Sequence, residues 1–170
     1  MGDNLMMASQ MSTRFTRYAS NGPPMPDSRS LGVALVLGRA HASLMAWLVT
    51  RLRAQGHEAI SVPALDFMGQ LDCGRNYASD VARTLGVSRQ MVAKTVAELA
   101  RRGWLTQKPD PDKRNRKIIV FTAEGEQVMA DTRTLLKELD GLLDTRLSGG
   151  WAERLSQELE ALRRAVDDRV

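Results

Sequence analysis

The chain has 170 residues, 43% hydrophobic and 26% charged, enough for one domain of ordinary size, or one carrying a small appended module, with a core that needs no metal or disulfide staple. An aromatic content of 5% leaves little for base-stacking platforms. The net charge of +4 is unevenly divided: residues 83–117 carry +7, residues 1–82 carry +1 and residues 123–170 carry −4, so one segment is suited to a polyanion and its flanks to each other.

Residues 1–30, with NGPPMP at 21–26, show no sustained apolar period and read as a mobile tail. The alternative is an arm that orders on a partner through Met6, Met7, Met11, Phe15 and Tyr18. From Leu31 to about Gln55, Leu35, Gly38, Ala42, Met45, Val49 and Leu52 recur at helical spacing, with Ser30 as the candidate N-cap and Gly56 as the stop. Val62, Leu65, Met68 and Leu71 predict a shorter helix starting near Pro63, whose missing N–H is harmless in a first turn, and a loop follows at 72–76.

In NYASDVARTLGVSRQMVAKTVAELARRGW, the residues Ala78, Val81, Ala82 and Leu85 share one helical face. Gly86 suits a left-handed turn, Val87 is expected to cap the core contact, and Ser88 can N-cap a second helix that turns Val92, Val96 and Leu99 inward. Two short helices joined around a glycine, the small Ala82 near their crossing, describe a helix-turn-helix. Gly103 ends the second helix, Trp104 to Lys108 and Lys117 to Thr122 read as strands, and PDPDKRNR makes a basic turn between them, so a β-hairpin follows directly. Thr122 then caps a helix carrying Val128, Leu135, Leu136, Leu139, Leu142, Leu143 and Leu147. Beyond Gly149 and Gly150 comes a last helix with Trp151, Leu155, Leu159, Leu162 and Val166. These two helices carry more leucine than one small hairpin domain can cover, so a partner surface is expected.

This order of elements, and above all the string from Leu99 to Gly125 (a helix end with glycine, PDP, a DxR element, an apolar strand closing in Thr, then xxG), resembles the MarR family of transcription regulators. The resemblance runs from about residue 31 to the end. It implies a mainly α (α+β) fold, a winged helix-turn-helix with a two-stranded wing and flanking dimerisation helices. The expected divisions are 1–30 tail or arm, 31–62 N-terminal helix within the dimerisation region, 63–122 DNA-binding domain and 123–170 dimerisation helices. One feature departs from the family: Asp112 and Arg114 lie one residue further from the strand than the usual DxR spacing, so Lys113 and Asn115 fall where its Asp and Arg belong. Either the wing turn is one residue longer or the minor-groove arginine is Arg116.

The N-terminal part of the second helix of a helix-turn-helix enters the major groove, where Arg can fork onto guanine and Gln onto adenine. The expected DNA contacts are Ser88, Arg89, Gln90, Lys94 and Thr95, with Arg89 and Gln90 reading bases, and Lys108, Lys113, Arg114, Arg116 and Lys117 on the wing, where cations neutralise phosphates. The bland alternative is a solvated polar face. The resemblance further implies a homodimer, held through Leu135, Leu139, Leu142, Leu143, Trp151, Leu155, Leu159 and Leu162, on a pseudo-palindromic site in double-stranded DNA. It also implies a small, often aromatic, acid as effector, for which Arg39 or Arg51, His41, Met45, Trp47 and Phe67 are the candidate lining. The alternative there is that Met45, Trp47 and Phe67 are core.

The single cysteine, Cys73, excludes an intrachain disulfide framework. It reads as a plain thiol, the alternative being a redox sensor. His41 and His57 are too isolated for a metal site, and no cofactor is expected. No phosphate loop or catalytic constellation argues for an enzyme. The competing class is a winged helix that binds protein, or one that binds DNA without an effector. The longest strongly apolar run, 31–38, is about eight residues against the roughly 20 of a membrane span, and MGDNLMM lacks a secretory signal's pattern. A cytoplasmic protein without a membrane partner is expected.

Overall fold

The computed structural model describes residues 28–113 and 115–169; the tail at 1–27 and Arg114 lie outside them. Its elements are α1 Arg29–Ala54, α2 Val62–Gly69, α3 Ala78–Leu85, α4 Arg89–Arg101, β1 Leu105–Pro109, β2 Lys117–Phe121, α5 Ala123–Asp144 and α6 Trp151–Asp167. The fold is thus mainly helical with one two-stranded antiparallel sheet.

Helix α1 begins earlier than expected. Ser28, not Ser30, is its N-cap, its side chain accepting from the Leu31 amide at 3.3 Å. The helix has two dissimilar halves. Met45, Leu48, Val49 and Leu52 are buried against the rest of the chain, whereas Leu31, Val33, Leu35, Val36 and Leu37 are exposed. Taken as a whole, α1 is long and apolar enough to cross a membrane, which corrects the eight-residue reading. Its C-terminal half, however, belongs to the core of the winged domain.

Ser61 caps α2, accepting from the Ala64 amide, and Pro63 sits in the first turn. Between α3 and α4, Gly86 takes the left-handed conformation at φ +63°, a conformation that a Cβ disfavours. Ser88 then accepts from the Met91 amide at 3.1 Å, and Val92, Val96 and Leu99 are almost completely buried. Val87, expected to cap this core, is 39% exposed instead.

Trp104 precedes the first strand rather than opening it and is buried. The strands pair in unbroken register from Leu105 opposite Phe121 to Pro109 opposite Lys117. Any additional residue therefore lies in the 110–116 turn, not in a strand bulge, and side-chain facing along β2 is preserved. The turn is closed by the Asp110 amide donating to the Arg116 carbonyl at 2.8 Å. Thr122 accepts from the Gly125 amide at 3.1 Å and starts α5.

Helix α5 returns to the core through Val128 and Leu135, both essentially unexposed, while α6 has no buried residue. Leu135 is therefore intrachain core, a correction to its expected place on the dimer surface. Leu147 lies beyond the end of α5 and is exposed.

Candidate nucleic-acid interface

On α4, residues at spacings of three and four share a face. Gln90, Lys94 and Ala97 lie opposite the buried Val92, Val96 and Leu99, and Arg89 flanks them in the first turn; all four are exposed. Arg101 continues the same stripe one turn on and is exposed. Among the described residues, Arg89, Lys94 and Arg101 have no carboxylate within 4 Å, and Gln90 makes no hydrogen bond. Nearby Arg83 and Arg102, by contrast, are paired to Asp80 and Glu98. Two expected residues are partly committed inside the chain. The Ser88 hydroxyl caps α4, and the half-buried Thr95 donates to the Met91 carbonyl at 3.1 Å.

Lys108 and Lys117, on opposite strands of the wing, are exposed and likewise unpaired among the described residues. Lys113 and Arg116, in the turn of the wing, are held against Tyr77. The Arg116 guanidinium lies 4.9 Å and the Lys113 ammonium 5.3 Å from the Tyr77 ring centre, cation–π contacts that orient both. Tyr77 Oη donates to Asp110, whose side chain is buried and also accepts from the Asp112 amide at 3.0 Å. Arg75 bridges Asp110 and Asp112. The hydrogen bond from Tyr77 holds the Asp110 carboxyl below the ordinary carboxylate range, helped by the Asp112 amide and the nearby Arg75; the same bond raises the Tyr77 phenol. Asn76, also buried, ties the wing to the α2–α3 connection: its side-chain amide nitrogen donates to the Asp72 carbonyl at 2.8 Å, and its backbone carbonyl accepts from the Ile119 amide at 2.8 Å. Arg114, the candidate for the wing tip, lies outside the described residues.

The expected effector residues do not converge on one cavity. Met45 is core, and Trp47 is half-buried under the Arg51 guanidinium at 5.8 Å. Arg39 is exposed, its Nε donating to the Leu35 carbonyl. His41 Nε2 lies 3.5 Å from Asp66. Asp66 and Phe67 do line a cleft of about 280 Å³ with Pro63, Leu85, Met91 and Thr95, so one of its walls is α4 itself. Cys73 is exposed, and no group of His, Cys, Asp or Glu among the described residues is arranged to hold a metal.

Residues 73–125 match the family model of the winged helix DNA-binding domain. That segment has the winged-helix fold. Around it, the fold is similar to that of several solved structures. FabT from Streptococcus pneumoniae, in complex with DNA, is 15% identical with a TM-score of 0.67, the match covering 81% of this chain and 97% of that one. PcaV from Streptomyces coelicolor, a transcriptional regulator with its natural ligand, is 21% identical at TM-score 0.59, covering 84% and 95%. A MarR transcriptional regulator from Methanosarcina mazei is 14% identical at TM-score 0.59, covering 79% and 99%. No curated protein matches the chain.

Proposed function

We propose that the chain is a sequence-specific transcriptional regulator of the MarR kind, a cytoplasmic homodimer that reads double-stranded DNA with α4 and grips its backbone with the wing. The carrying observation is the set of exposed, unpaired polar and basic side chains at Arg89, Gln90, Lys94, Lys108 and Lys117, along the N-terminal half of α4 and on the hairpin after it. A helix N-terminus with unspent donors suits phosphate, and Arg and Gln suit base edges. A protein-docking wing has no use for so many uncompensated cations.

The homodimer is supported by apolar surface that this chain leaves uncovered. The first half of α1 and the α6 residues Leu155, Leu162 and Val166 are exposed, as is Leu142 on α5, while Leu139, Leu143, Trp151 and Leu159 are half-buried. A second copy would cover these faces and set two α4 helices about one DNA turn, roughly 34 Å, apart. Repression modulated by a small aromatic acid is the further part of the proposal. Its support is the α2–α4 cleft, since a ligand favouring one spacing of α4 shifts the population that fits DNA. Selection of binding sites from random duplex DNA tests the reading: a pseudo-palindrome is expected, and a pool without enriched sequence contradicts it.

A further inference from the structure

Among the described residues of 62–122, the exposed large hydrophobics are Val62, Val87 and Met91. Val87 and Met91 stand on either side of Ser88, the N-cap of α4, and both line the rim of the α2–α4 cleft. Met91 is 55% exposed, although its amide is fixed by the Ser88 hydroxyl at 3.1 Å. The core does not use it, since Val92, Val96 and Leu99 supply the inward face of α4. Residues three apart on a helix are neighbours, so Met91 lies beside Lys94, at the edge of the exposed stripe of Gln90, Lys94 and Ala97. Arg89 and Lys94 precede and follow it, and among the described residues neither has a carboxylate within 4 Å. The occupant of this apolar patch is therefore an anion that also presents apolar groups. Duplex DNA meets both conditions, because the thymine C5-methyl is the apolar feature in the major-groove pattern of base edges.

We propose that Met91, with Val87 beside it, is a specificity-determining residue that packs on the C5-methyl group of a thymine in the major groove. This rests on α4 being the reading helix and adds a base feature that Arg89 and Gln90 do not read: their donors and acceptors meet guanine and adenine edges, whereas a methyl group offers no hydrogen bond. The unbranched, polarizable thioether follows a methyl group without a fixed rotamer. Burying both from water supplies the preference for thymine over a pyrimidine without the methyl.

The test uses the full chain and a duplex selected from random DNA, resynthesised with each thymine in turn replaced by deoxyuridine. That replacement deletes the methyl and leaves base pairing unchanged. Wild type is expected to lose about fourfold in affinity at one thymine or more in each half-site, the effect of one buried methyl group. Met91→Gln, similar in length but polar, should bind the thymine and deoxyuridine duplexes equally while keeping wild-type helicity. Lys117→Ala, on the wing, should weaken binding to both duplexes and retain the full methyl preference. Tolerance of deoxyuridine at every position by wild type, a selected site without thymine, or an undiminished methyl preference in Met91→Gln would each overturn the assignment. A pool with no enriched sequence would remove the DNA reading itself, and the proposal with it, an outcome distinct from those three.

Discussion

Gly125 shows how closely single positions are determined. A Cβ built there would collide with the Trp104 carbonyl oxygen, which is backbone and itself accepts from the Thr122 amide at 3.1 Å. The first turn of α5 can approach the segment between α4 and β1 only because residue 125 lacks a side chain. Gly125→Ala is therefore expected to cost about 3 kcal/mol, as overpacking does, read as a lower urea midpoint with unchanged slope. Asp110 gives a pH-dependent case. Its carboxyl is held below the ordinary range by Tyr77, so its contribution to stability is complete above the unfolded value of about 3.9 and is lost as pH falls through the folded value. Urea midpoints measured between pH 6 and acid should fall more steeply in wild type than in Asp110→Asn; parallel curves would remove this role. The glycine in the xxG string was visible in the sequence, but its cause was not, since the collision involves a backbone atom 21 residues away. The buried Asn76 and Asp110 were invisible for a similar reason: in a sequence a polar residue in a loop reads as solvated, and only the strand behind it shows otherwise.

At the scale of elements, periodicity served well wherever one face is buried within the chain. Helix α4 follows its predicted inward set because Val92, Val96 and Leu99 fill the crossing beside Ala82. The wing is also placed correctly to within a residue at each end, and its register is unbroken. Periodicity says less where an apolar face is not used inside the chain. Leu35, Gly38 and Ala42 continue the stripe of Met45 and Val49 yet are exposed, and periodicity cannot say what covers a face. Met45 and Trp47, two apart on α1, diverge around the helix axis. For the wing, the exposed and unpaired Lys108 and Lys117 should each account for one phosphate contact. Lys117→Ala is expected to flatten the slope of log K against log salt by about one, uniformly across sequences. An unchanged slope removes the residue from the interface.

Across the whole molecule, the charge division matches the architecture. The +7 segment spans α3 to the wing, and the −4 segment forms α5 and α6, so a dimer built on the latter stands its acidic part away from DNA. The apolar half of α1 and the uncovered α6 together predict twice the chain mass in sedimentation equilibrium at micromolar concentration. Leu155→Glu with Leu162→Glu should shift it to the monomer, since two charges buried at an interface without partners are costly; a monomeric wild type would contradict the shared core. The central claim is that α4 reads bases while the wing binds backbone. The most direct measurement is equilibrium binding of wild type and Arg89→Ala to a selected site and to its scrambled counterpart at one fixed salt concentration. Arg89→Ala is expected to lose about 1–3 kcal/mol of preference for the selected site per base contact while its affinity for the scrambled duplex changes far less. An equal loss on both duplexes would contradict it.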